Sequence, residues 1–195
     1  MHTCSKMEKK TKTIKKDLRE EILIPEGISA TLNHDILILK KDNEEILRKL
    51  NLLINIKIEG NKIILESKSP NKNKKRIFGT TFAHINNMIQ GLTEKFKYKL
   101  QISNVHFPMT VKVDSAKNEL IIGNFLGEKT NRIIKLVPGV SVKVTKEFID
   151  IEDSNIERAG QCAANIEKNS KPKNKDRRIF QDGIYIIEKP GRVFL

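Results

Sequence analysis

Asp150, Glu152 and Asp153 stand close together in "FIDIED". Residues two apart on a strand point to one face, so the first two carboxylates have a spacing that a metal-dependent hydrolase uses. No third ligand or base accompanies them, and the plainer reading is a solvated strand face opposite Phe148, Ile149 and Ile151. The histidines, His2, His34, His84 and His106, share no metal-ligand spacing with one another or with Cys4 and Cys162. Phosphate-cradling and nucleophile-elbow glycine patterns are absent from the sequence. The expectation is no catalytic residue, no metal, no cofactor and no small-molecule substrate.

Cations carry more information. The formal charge is +13, and three segments, 1–19, 68–76 and 168–178, each contribute +5. Together they exceed the total, so the rest of the chain is close to neutral and the charge is gathered at particular places. Such clustering points to contact with an anionic polymer. The second segment, "SKSPNKNKKR", holds Lys72, Lys74 and Lys75; the third, "KNSKPKNKDRR", holds Lys173, Lys175, Arg177 and Arg178. Both contain Pro and Asn and are expected to be extended loops that follow a phosphate backbone. Phe180 and Tyr185 lie beside the third segment and offer a planar surface to an unpaired base or a ribose.

The elements that would position these residues follow from periodicity. "INIKIEG" from Ile54 and "VSVKVTK" from Val140 alternate apolar and polar residues, as half-buried strands do. Aligning Pro25 with Pro108, Ile36 with Leu120, Ile46 with Ile133, Ile54 with Val140 and Ile63 with Phe148 gives separations of 83 to 87 residues, the mark of a duplicated domain. Each repeat ends in a helical stripe. Phe78, Phe82, Ile85, Ile89, Leu92 and Phe96 form the first, on a helix expected to run to about Leu100; Ile156, Ala159, Ala163 and Ile166 form the second. "NEEILRKL" from Asn43 is expected to be a strand. The fold class is α+β, two tandem domains, each a mostly antiparallel sheet with one helix on a face. Domain limits are set at 20–103 and 104–195, after a basic tail over 1–19.

"KNKDRRIFQDGIYIIEKPG" from Lys173, with "INNMIQGLTEKFKYKL" from Ile85, "VHFPMTVKV" from Val105 and "NFLGEKTNR" from Asn124, resembles the large-subunit ribosomal protein family called L-six in bacteria and L-nine in eukaryotes. The likeness covers about residues 20 to 190 and follows the eukaryotic and archaeal branch. It implies two duplicated α+β domains and binding to ribosomal RNA, mainly by the C-terminal domain, near the sarcin-ricin loop and the factor-binding region. It also implies neighbouring ribosomal proteins as partners. By motif, the RNA-facing residues are Lys173, Lys175, Arg177, Arg178, Gly183, Tyr185 and Lys189, with Phe180 in the core anchoring the loop. A ribosomal, cytoplasmic location with nucleolar assembly follows from the same likeness.

Two rivals are weighed against this reading. A metal-dependent enzyme acting on nucleic acid would use the Asp150 cluster. A membrane-surface protein would use the N-terminal lysines, but the apolar face there is limited to Met7, Ile14 and Leu18. No apolar run approaches the roughly 18 to 20 residues of a membrane span, and the first residues lack the apolar core of a secretory signal, so a soluble intracellular protein is expected.

Overall fold

The computed structural model describes residues 17–51, 53–68, 71–176 and 178–194. Most of the basic tail, with His2 and Cys4, lies outside these residues. The first repeat comprises β1 (Leu18–Leu23), β2 (Ser29–Asn33), β3 (Ile36–Lys41), β4 (Glu44–Lys49), β5 (Asn55–Glu59), β6 (Lys62–Ser67) and α1 (Lys72–Thr93). The second comprises β7 (Phe96–Ser103), β8 (Thr110–Asp114), β9 (Glu119–Gly123), β10 (Arg132–Lys135), β11 (Ser141–Val144), β12 (Phe148–Asp153), α2 (Ile156–Asn169), β13 (Gly183–Lys189) and β14 (Arg192–Val193).

Every strand pair is antiparallel, and the repeat is visible in the pairing itself. Sheets β1-β6-β5 and β2-β3-β4 of the first domain correspond to β7-β12-β11 and β8-β9-β10 of the second, which adds β13 and β14 beyond β7. Each domain is therefore α+β with one α-helix among the described residues, but its strands are divided between two small sheets rather than joined in one. Tight turns make the meanders: His34 and Asp42 in the first domain and Asn118 in the second take positive φ, a conformation Asn, Asp and His tolerate better than most residues. "NEEILRKL" forms β4, as expected.

Period two decides which residues meet in each core. Leu37, Leu39, Ile46, Ile63 and Leu65 are buried in the first domain, and Leu120, Ile122, Ile134, Ile149 and Ile151 in the second. The sequence alignment is thus one residue out at three points. Ile36 and Ile133 face solvent, Phe148 is half-buried, and the residues equivalent to Leu120, Ile46 and Ile63 are Leu37, Ile134 and Ile149. A one-residue slip in a strand exchanges the two faces.

Two further expectations are corrected. α1 ends at Thr93, not near Leu100, and Phe96 opens β7, whose central position between β12 and β13 assigns 96–103 to the second domain. Alternation over "FKYKLQIS", which buries Phe96, Leu100 and Ile102, is the strand signal that the helix reading overlooked. At the other end, 71–76 is not an extended loop. Asn71 caps α1 by accepting from the Lys74 N–H at 2.8 Å, so Lys72, Lys74 and Lys75 lie in its first turn.

The domains meet where α1 ends and α2 begins. A Cβ at Gly91 would lie 1.9 Å from the carbonyl oxygen of Ser154, so only glycine permits this approach. Around it, Arg48 donates to Glu157 at 2.7 Å, His84 Nδ1 lies 3.2 Å from the same carboxylate, and Lys95 pairs with Glu44. The Lys95 ammonium holds the Glu44 carboxyl below its usual range. Burial and the Arg48 charge push the His84 pKa down, against the opposing pull of Glu157. Glu157 also sits in the first turn of α2, where the helix dipole favours an anion.

Candidate nucleic-acid interface

The stretch after α2 is exposed yet held at its base. Ser170 is fully buried and its hydroxyl accepts from the Ile184 N–H at 3.1 Å, with the Glu167 and Ile184 carbonyls at 3.1 and 3.2 Å as acceptors. That link joins the end of α2 to the start of β13, so 171–182 is a closed loop whose two ends touch. Arg132 reaches it from β10. Its Nη1 donates to the carbonyls of Asn169 and Lys171 at 3.0 and 2.9 Å, its Nε donates to Glu128 at 2.8 Å, and its guanidinium lies 3.8 Å from the centre of the Phe125 ring. The first of these bonds occupies a carbonyl that the C-terminus of α2 leaves free, and the second holds the chain just beyond it. Hydrogen bonding from Arg132 outweighs burial and holds the Glu128 carboxyl below its ordinary range.

The far side of the loop is fastened by Asp182, which is 1% exposed. One carboxylate oxygen accepts from the backbone N–H groups of Val105 and His106 at 2.8 and 2.9 Å, and the other lies 2.6 Å from His106 Nδ1. Burial works to raise the Asp182 pKa, but the His106 and Val105 donors outweigh it and the net shift is downward. Phe180 packs on His106 with ring centroids 5.0 Å apart, and Lys175 Nζ lies 4.4 Å from the Phe180 ring centre.

On this base Lys173, Lys175 and Arg178 are all exposed, and Asp176 turns the chain by accepting from the Arg178 N–H at 2.9 Å. Arg177 lies outside the described residues. Gly183 is buried: a Cβ there would lie 3.2 Å from both the Ser170 carbonyl oxygen and the Tyr185 ring, so the glycine lets these parts of the chain approach closely. Tyr185, 36% exposed, covers it and donates to the Gln181 carbonyl at 3.3 Å. Lys189 is half-buried at the opposite end of β13, about 20 Å away at strand rise, with its ammonium 4.8 Å from the Phe194 ring centre.

Lys72, Lys74 and Lys75 stand in the first turn of α1, about 28 Å along that helix from the domain junction. Three lysines with no acid in a first helical turn oppose the helix dipole. A lysine pattern of that kind is unfavourable for the isolated chain.

The residues missed in the sequence are those that hold the loop: Arg132, Ser170, Asp182 and His106. Asp182 has the look of a turn residue before Gly183, and only its partners reveal an anchor. Val105, Phe107 and Ile179 add exposed apolar surface at 60%, 47% and 63%.

The acidic strand does not form a metal site. Asp150 and Glu152 share a face as expected, but Lys99 and Lys143 lie opposite Asp150 in the register, and Lys97 pairs with Glu152 at 3.6 Å. Asp153 turns away and takes a two-pronged bond from Arg158, with both contacts at 2.8 Å. Among the described residues no group of three His, Cys, Asp or Glu side chains could hold a metal ion, and no helix is long and apolar enough to cross a membrane.

The family described as Ribosomal protein L6 matches this chain twice, over residues 24–95 and 107–183. The chain is 47% identical over 177 residues to "Large ribosomal subunit protein uL6" of Methanococcus vannielii, covering 90% of this chain and 96% of the relative. It is 43% identical over 173 residues to the protein of the same name from Methanobrevibacter smithii, covering 88% and 96%. The two matched stretches coincide with the two structural repeats, the relatives span nearly the whole chain, and the chain belongs to the ribosomal protein L6 family, on its eukaryotic and archaeal side.

Proposed function

We propose that this protein is a structural constituent of the large ribosomal subunit and holds ribosomal RNA through the loop 171–182. One observation carries the RNA contact: a loop presenting Lys173, Lys175 and Arg178 to solvent is fixed at its base by Ser170, Arg132 and Asp182. Anchoring lowers the ordering entropy that binding would otherwise cost, and the exposed cations neutralise phosphates with release of counterions. Tyr185 and Phe107 offer planar surface beside them.

The role is positional, without catalysis of its own. The position near the sarcin-ricin loop and the factor-binding region, the neighbouring ribosomal proteins, the cytoplasmic ribosome as location and nucleolar assembly belong to the same proposal and rest on the family likeness. Lys189 and the Lys72, Lys74 and Lys75 group are proposed as second contacts. Gly183 serves the loop's geometry.

The test has two arms. In a sucrose gradient at moderate and high salt, the chain is expected to travel with large subunits and resist the wash; appearance only in light fractions would refute the ribosomal role. With purified chain and large-subunit RNA, Lys173→Ala, Lys175→Ala and Arg178→Ala together are expected to weaken binding and to flatten the salt dependence by about 2 in log-log slope. Unchanged affinity and slope would move the contact elsewhere.

A further inference from the structure

Each repeat leaves a seam open between its two sheets. In the first domain β2 and β5 border a groove of about 330 Å³ that includes His34, Asp35 and Asn51. In the second, β8 and β11 border a groove of about 810 Å³ with different chemistry. Val111 and Val113 of β8 form one wall, Val142 and Val144 of β11 the other, with Ile102 and Met109 completing the apolar lining. Lys112 and Lys146 also line it, and no carboxylate does. Both β8 and β11 are the outermost strands of their sheets among the described residues: each has a hydrogen-bonded strand on one side only, and the two approach one another across the seam without pairing.

We propose that the β8–β11 seam docks an extended segment of another protein in which aliphatic residues alternate with Asp or Glu. An unpaired strand edge supplies main-chain hydrogen bonds to an extended peptide, and alternation in that peptide turns every second side chain toward the same wall. The paired valines on both walls take the aliphatic side chains. Lysines without a balancing acid select carboxylates on the rim. RNA fits less well, because no aromatic ring or arginine lines the groove to stack on a base. A second copy of this chain fits less well too, since both partners would carry +13. The corresponding groove of the first domain contains Asp35 and lacks the valine walls, so duplication has left two seams and only one with this selectivity.

The full-length chain is titrated by fluorescence anisotropy with labelled seven-residue peptides, blocked at both ends, that alternate Val with Glu, Val with Lys, or Ser with Glu. The Val/Glu peptide is expected to bind at least tenfold more tightly than either of the others. Lys112→Glu with Lys146→Glu is expected to reverse the preference in favour of Val/Lys. If that variant loses its circular dichroism spectrum, Lys112→Gln with Lys146→Gln replaces it and is expected to abolish the preference. No binding at millimolar peptide, equal binding of Ser/Glu, insensitivity to the lysine changes, or displacement by a ten-residue uridine oligomer would each overturn the proposal.

Discussion

Asp182 and His106, 76 positions apart, are joined through both side chains and backbone: the carboxylate lies 2.6 Å from the His106 ring nitrogen and also accepts from the His106 N–H. This contact ties the β7–β8 connection to the end of the basic loop. Asp182→Ala leaves two part-buried backbone bonds to a carboxylate unmade and is expected to cost about 2 to 3 kcal/mol. Urea unfolding measures the loss, and hydrogen exchange should show faster amides at 104–107 and 178–183. A loss below about 0.5 kcal/mol would remove Asp182 as an anchor.

The same carboxylate makes stability depend on acid. Its folded pKa lies below the ordinary value, so its contribution is fully present above about pH 4, where the unfolded group titrates, and is lost as pH falls through the folded value. Comparing the natural chain with Asp182→Asn by urea unfolding between pH 6 and pH 2, the stability difference should be largest near pH 6 and shrink toward pH 2. A constant difference across that range would contradict the assignment.

Arg132 holds the loop's base by geometry as well as charge. Arg132→Ala is expected to cost about 2 kcal/mol or more, because the Nε and Nη2 bonds to Glu128 and the two carbonyl contacts disappear together. Arg132→Lys keeps the charge but not the fork and should recover less than half of that. RNA affinity should fall in both variants with the salt slope unchanged, since Arg132 positions the cations and does not itself meet phosphate. A reduced slope would mark it as a direct contact.

Gly91 and Gly79 lie on the same helix and should respond oppositely to alanine. At Gly91 the new Cβ would strike the Ser154 carbonyl, and Gly91→Ala is expected to lose about 1 to 3 kcal/mol or to part the domains. Nothing lies within 4 Å of a Cβ at Gly79, which is exposed, so Gly79→Ala is expected to gain about 0.5 to 1 kcal/mol. Thermal unfolding ranks the two, and small-angle scattering reports whether the Gly91 variant extends. A stable, compact Gly91→Ala chain would show that the junction can yield.

At that junction Arg48 and Glu157 are partly exposed, with side chains 29% and 50% accessible. A double-mutant cycle with Arg48→Ala and Glu157→Ala is expected to give a coupling of only about 0.5 kcal/mol, falling with salt. A salt-insensitive coupling above about 1.5 kcal/mol would indicate that the pair is desolvated.

The sequence by itself determined the duplication, the strand-rich α+β class, the stripe of Ala159, Ala163 and Ile166 on α2, and the gathering of charge at 68–76 and 168–178. Those properties are local: period two, period 3.6 and charge runs are written in neighbouring residues. The tertiary structure decided which strand face is inside, because Ile36 and Leu37 differ only in the register their sheet imposes. It also made Phe96–Ser103 a central strand through partners about 50 and 85 positions further along, where helical spacing of Leu92 and Phe96 had suggested continuation of α1. The anchoring of the basic loop was equally hidden. Lysines announce themselves by charge, but Arg132, Ser170 and Asp182 matter through bonds to atoms that only folding brings within reach, and the buried position of Gly183 follows from those same bonds.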